Sequence, residues 1–250
     1  LVRSTDGSIL TNVGENWNPV QNEQAFEFFH EFVMKGDMEM HTAGSLKEGK
    51  MVWALAKVKE SFDILGSDRI DSYLLFSNPH QYGKAIDVRF TPIRVVCNNT
   101  LSLSLSSSSK NSVKVNHCRE FDPDMVKTQL GIASNKFAQY KDVAQFLAGK
   151  KFSVEAMLDF YSSVFPTNKK SESPETLGTN AKRCYEVLET QPGAQYGEVS
   201  FWQLVNSVTY HIDHNAGRMS DNRLDSAWFG GNAKRKNMAM EKAIELANAA

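Results

Sequence analysis

The sequence predicts an α+β fold, with a mostly antiparallel β-sheet in the N-terminal half packed with helices and a helical C-terminal half. Three observations carry that expectation. Apolar runs of strand length, broken by turn residues, fill the chain as far as Asn116. From Asp122 onward the apolar residues recur at helical spacing. Hydrophobic residues make up 41% of the 250, enough for a sizeable core and too many for a disordered chain. No internal repeat is present, and Ser106–Ser109 is too short a polar run to separate domains. The chain is therefore read as a single α+β domain over residues 1–250, with a sheet-rich part at 1–120 and a helical part at 121–250.

A hairpin opens the chain, because Thr5-Asp6-Gly7-Ser8 is a turn signal inside Val2–Leu10. Asn22 is placed to cap a helix whose stripe is Phe26, Phe29 and Val33, widened by Phe28 and Phe32 and ended by Gly36. Strands follow at Met38–Leu46 and Met51–Val58 around the loop Lys47-Glu48-Gly49-Lys50. The second is apolar on both faces, which predicts a central place in the sheet. Tyr73–Phe76 and Lys84–Phe90 read as further strands, the latter with Ile86, Val88 and Phe90 on one face. Pro92 is expected to interrupt before the extended run Ile93–Cys97. Asn98-Asn99-Thr100 suits the cap of a short helix through Leu105, although the Leu-Ser alternation there also allows a strand. Val113–Asn116 is the last strand.

Asp122-Pro123 starts a long helix with Phe137, Tyr140, Phe146 and Leu147 among its apolar positions and Gly131 as a possible kink. Ser153 opens the next, which carries Met157, Leu158, Phe160, Tyr161 and Val164 and stops at Pro166. Helices are then expected at about 175–190, 199–213 and 221–248, with Gly230-Gly231 as a turn into the last one.

Formal net charge is only -1, but it is unevenly spread. Residues 80–151 hold 11 basic and 5 acidic side chains, whereas 1–79 hold 7 and 12 and 152–250 hold 10 and 12. A nucleic-acid groove needs cations without acidic partners and aromatic rings for stacking. Lys84, Arg89, Arg94, Lys114, Lys136 and Lys141 are the candidate phosphate contacts, with Phe90, Phe137 and Tyr140 as nearby aromatics. The competing reading is a set of ordinary solvated charges. Lys234-Arg235-Lys236 forms a second basic cluster at the start of the last helix, where the dipole disfavours cations.

Other chemistries leave weaker marks. His211, Asp213 and His214 share a helix end, and with His117 could make a metal set, but the spacing is not that of zinc proteases. Cys97 could sit at a helix N-terminus, yet the sequence shows no base paired with it. No phosphate loop, dinucleotide fingerprint or nucleophile elbow is present, so no cofactor is expected. Three widely spaced cysteines without a CxxC pair fit a reducing cytosol. No apolar run approaches the ~20 residues of a bilayer span, so no membrane role is expected. The chain starts at Leu1 rather than methionine, which suggests a trimmed product or part of a longer protein.

Arg94-Val95-Val96-Cys97-Asn98-Asn99-Thr100-Leu101 resembles the signature of domain-of-unknown-function family 932 (DUF932), the phage/plasmid-like protein family. Leu1–Gly14, Ala43-Gly44-Ser45-Leu46 with Val52-Trp53-Ala54-Leu55-Ala56, and Tyr73-Leu74-Leu75 also resemble it. So do Asn206–Thr209 leading to Asp213-His214, and Trp228-Phe229-Gly230 before a helix with Lys236 and Ala239. The loop Ser77–Gly83 departs from the family's more usual Asn-Ser-His-Asp-Gly wording.

The resemblance implies a phage or mobile-element protein acting in the cytoplasm of a bacterial host, where DNA replication or recombination is the natural class. One concrete form is a single-strand annealing protein, with a curved antiparallel sheet, a packed helix and a basic groove. On that expectation the chain binds single-stranded DNA without enzymatic turnover and promotes annealing as a homo-oligomer. Phage or host replication or recombination proteins are possible partners. Asn98 and Asn99 would add polar contacts beside the cations. The signature also allows Arg94 to pair with a buried carboxylate and the asparagines to cap a helix. Two alternatives stay open: a metal-dependent hydrolase or nuclease centred on His211, Asp213 and His214, and a protein-interaction factor such as a counter-defence protein.

Overall fold

The computed structural model describes residues 1–34, 38–97, 99–100, 112–118, 122–168, 171–217 and 219–250, the side chains of 32, 99, 123 and 125–136 excepted. The fold is α+β, with the sheet in the N-terminal half and a helical C-terminal half. Strands β1 (Met38–Leu46), β2 (Met51–Ile64), β3 (Asp68–Pro79), β4 (Ala85–Arg94), β5 (Asn99–Thr100) and β6 (Ser112–Asn116) make one sheet. Its order is β1-β2-β3-β4-β5, and β6 also pairs with β4. The helices are α1 (Asn22–Phe32), α2 (Pro123–Gly149), α3 (Val154–Val164), α4 (Thr179–Glu186), α5 (Phe201–Tyr210), α6 (Ser220–Phe229) and α7 (Gly231–Ala249). No helix among the described residues is long and apolar enough to cross a membrane.

The chain divides into two compact units. The first comprises Leu1–Glu60, Ser72–Thr91 and Lys110–Lys136, and the second Ser61–Asp71, Pro92–Ser109 and Phe137–Ala250. In the first, β1 and β2 form an antiparallel hairpin with a bulge between Met40 and Thr42. Gly44 lies opposite Trp53, and a Cβ at Gly44 would come to 3.0 Å from the indole, so any larger residue here would have to push the Trp53 ring aside. Helix α1 buries Phe29 against Phe76 of β3, ring centroids 5.8 Å apart. The expected opening hairpin is one antiparallel bridge, Val2 to Ile9, closed by Arg3 on Asp6.

Several expectations need correction. Asn22 does not cap α1. Gln21 holds that place, its amide donating to Gln24 Oε1, while Asn22 Oδ1 accepts from Asn78 Nδ2 and sits 2.9 Å from His80 Nε2. Pro92 does not break β4. It falls between two ladders, Ala85–Arg89 against β6 and Ile93–Arg94 against β5, where a missing N–H interrupts neither. Asn99 and Thr100 are strand rather than helix cap, and the proposed helix through Leu105 lies outside the described residues. So do Gly36 and the side chain region around Gly131.

In the second unit the helices pack on one another, α7 against α3, α5 and α6. Ser153 caps α3 as expected, its Oγ accepting from the Ala156 amide. Tyr161 and Ser207 join α3 to α5 through a buried hydroxyl pair at 2.8 Å. The helix expected over 175–190 is shorter, a 3-10 turn at Pro174–Thr176 and then α4, followed by turns to Val199. The 221–248 stretch is two helices that meet at Gly230, as the glycine pair suggests.

Candidate nucleic-acid interface

The eight sequence-selected residues have different fates. Lys84 is exposed in the turn before β4, and Lys114 is exposed on β6 opposite Asp87. Arg89 shares their ribbon but is held by Asp87 through contacts of 2.5 and 2.6 Å. Lys141 is exposed on α2 in the second unit. Among the described residues, no side-chain hydrogen bond or ion pair engages the ammonium of Lys84, Lys114 or Lys141. Asn98 and the side chains of Asn99 and Lys136 lie outside the described residues.

Arg94 is only 2% exposed. Its Nε donates to both oxygens of Asp68, at 2.7 and 2.9 Å, and Nη2 donates to the Gly193 carbonyl at 2.7 Å. Trp202 Nε1 donates to the same carboxylate at 2.8 Å. Gly193 has φ +79° and faces the guanidinium so closely that a Cβ would lie 2.6 Å from Nη2. A phosphate contact would require this buried pair to open, so Arg94 serves the core of the second unit.

The first unit brings Lys84 together with residues the sequence did not single out. A pocket of about 250 Å³ lies at the end of the β4–β6 ribbon, lined by Trp17, Tyr82, Lys84, Asn116 and Cys118. Ala85 pairs with Asn116, which sets Lys84 just beyond the ladder. Lys114 and Asn116 are both exposed while Val113 and Val115 are buried, so the polar pair shares one face, about 7 Å apart along the strand. Tyr82 is 74% exposed. Trp17 is braced from behind by His117, with ring centroids 4.5 Å apart. The signal available in sequence was Tyr82-Gly83-Lys84, an aromatic and a cation flanking a turn glycine. Trp17 is far from it in the chain and carried no such mark.

Behind the pocket, His80 and His117 are both buried, with ring centroids 6.4 Å apart. Burial lowers the pKa of each, and the neighbouring His117 lowers that of His80 further. The folded form therefore binds these protons later than the unfolded chain, whose histidines titrate near about 6.5. Their contribution is complete above that pH and is lost as pH falls through the folded values, with a slope of up to about 1.4 kcal/mol per pH unit for each histidine. Denaturant melts between pH 7 and 5 should show the loss, and His117→Phe, which keeps a ring under Trp17, should flatten it. An unchanged slope would assign the acid sensitivity elsewhere.

His211, Asp213 and His214 do three separate things. His211 is buried, which lowers its pKa, with Arg183 adding to the effect. His214 lies against Tyr210, centroids 4.7 Å apart. Asp213 accepts from the Thr100 amide and hydroxyl at 2.7 and 2.8 Å, and pairs with Lys236 at 2.9 Å. Lys236 also donates to the Thr100 carbonyl and hydroxyl oxygens, at 2.8 and 2.7 Å. Among the described residues, no group of three or more His, Cys, Asp or Glu is arranged to hold a metal.

The family model described as "Domain of unknown function (DUF932)" matches residues 9–228. The chain belongs to DUF932. No curated protein and no solved structure gives a match. The DUF932 span contains every residue lining the Trp17–Tyr82 pocket, and the Arg94–Asp68 pair. It also contains Thr100 and Asp213, but ends before Lys236. Residues that carry the DUF932 resemblance thus have packing roles here: Gly44 beneath Trp53, Arg94 on Asp68, and Thr100 on Asp213.

Proposed function

We propose that this DUF932 protein binds single-stranded DNA at the end of the β4–β6 ribbon, without enzymatic turnover. The observation that supports this best is the adjoining of an uncommitted lysine and accessible rings, Lys84 beside Tyr82 and Trp17, with Lys114 two residues along β6 from Asn116 on the pocket wall. Single strands are held by backbone charge together with base stacking, and this ribbon offers both. Its pocket has room for a flat ring rather than for a duplex groove. Asn116, on the pocket wall, supplies donors and an acceptor for a base edge. Annealing of complementary strands, action as a homo-oligomer and a place in a phage or mobile element extend the same proposal.

Anisotropy of a labelled oligo-dT tests the reading. Affinity should fall steeply with salt, and Lys84→Ala and Lys114→Ala should each reduce the log–log slope by about 0.7. Tyr82→Ala should weaken binding by about 1–3 kcal/mol, the worth of one stacked base. Tyr82 is so exposed that its loss should leave the fold intact. Absent binding, or binding indifferent to salt and to Tyr82, would overturn the proposal. Annealing is read separately, from the pairing rate of two complementary labelled oligonucleotides and the protein's mass in solution.

A further inference from the structure

The second unit contains a larger pocket, of about 650 Å³, within the range of small-molecule sites. Phe152, Met157 and Leu188 supply apolar wall, Tyr185 an aromatic one, and Glu189 and Glu198 two carboxylates. No lysine or arginine lines it. Lys151, next in the chain to Phe152, donates its ammonium to the backbone carbonyl of Glu198, while the lining side chains themselves include two carboxylates and no cation.

The backbone at the pocket adds a second observation. Val199 has φ +56°, in the left-handed region, which a β-branched residue rarely occupies. Its surroundings hold it there. The Val199 amide donates to Gln203 Oε1 at 2.8 Å, and its carbonyl accepts from the Phe152 amide at 3.1 Å. Ser200, next in the chain, is bridged to Lys151 and caps α5. Gln203 Nε2 in turn donates to the Leu188 carbonyl, tying both sides of the loop. Val199 is 51% exposed and lines the pocket. Glycine would adopt this backbone without strain. Strain that the surroundings enforce at a ligand-sized cavity is characteristic of binding sites.

We propose that this pocket binds a small organic amine, an ammonium group carried on an apolar or aromatic body. The body would lie against Phe152, Met157 and Val199, and the ammonium would face Glu189 and Glu198, with the Tyr185 ring available for a cation–π contact. None of these residues belongs to the β4–β6 ribbon, so this proposal stands or falls apart from DNA binding.

Two probes of matched size and opposite charge test it on the full chain: phenethylammonium and 3-phenylpropanoate, titrated by ligand-observed NMR. Phenethylammonium should saturate the site at millimolar concentration, and the carboxylate should bind about tenfold more weakly or not at all. Glu189→Gln with Glu198→Gln should reduce that preference to below about twofold while weak apolar binding remains. Val199→Gly should leave the Tm unchanged or raised and yet weaken phenethylammonium by roughly threefold or more. The proposal is overturned if phenethylammonium does not saturate by about 20 mM, far above the range of a formed site. Equal binding of the two probes would overturn it too, as would full affinity in the glutamine pair or in Val199→Gly.

Discussion

Asp68→Ala should lower stability by about 3–5 kcal/mol, because it strands the Arg94 guanidinium in the core. The carboxylate is 0% exposed, and it accepts from Arg94 Nε and from Trp202 Nε1. Two carbonyls, of Pro192 and Gly193, stay with the guanidinium but cannot neutralise it. Tyr140 reports on the same place: burial raises its phenol well above the ordinary range, with the Asp68 charge adding and Arg94 opposing. Arg94→Lys should also destabilise, since an ammonium cannot donate in the planar fork that spans Asp68 and the 192–193 carbonyls. Urea unfolding at neutral pH measures both. A cost below about 1 kcal/mol for Asp68→Ala would show that the pair is dispensable.

Lys236→Met should be comparably damaging, at about 3 kcal/mol, since it leaves Asp213 buried with only neutral donors. Asp213 and Lys236 side chains are 8% and 5% exposed, so solvent does little to screen the loss. The double variant Asp213→Leu/Lys236→Met removes both charges. It should still fall short of the wild type by about 1–3 kcal/mol, because the Thr100 amide loses its acceptor. A double variant as stable as the wild type would show that Thr100 finds another partner. The same melts separate a structural role for this cluster from a catalytic one, which would lose activity without losing stability.

Much of the fold was legible because periodicity is a local property. The α3 cap at Ser153, the bounds of β1 and the start of α2 follow from residues within one or two turns of each other. β3 was longer than expected for a different reason. Aspartates are depleted in strands, and in β3 the carboxylates of Asp68 and Asp71 are satisfied by Arg94 and Arg69. The same long-range pairing hid the site. A charge count places Arg94 with the exposed lysines, but its partner is 26 residues earlier and its carbonyl contacts are 98 and 99 residues later. In the sequence Lys236 reads as a cation in an unfavourable place at a helix start. Its explanation, Asp213 and Thr100, needs three separate stretches of chain. Trp17 and Tyr82 come together for a comparable reason, each in a loop whose course periodicity does not predict.

The three cysteines bear differently on how the molecule can be observed. Cys97 and Cys184 are buried, and burial pushes the Cys184 thiol far above its ordinary pKa. Cys118 is exposed and lines the same pocket as Trp17, Tyr82 and Lys84. Nature has therefore left a single addressable thiol at the mouth of the proposed DNA site. A fluorophore attached there would sit beside an incoming base, and a bulky one would act as a plug. The unmodified chain thus carries its own reporter, with no cysteine needing to be added or removed.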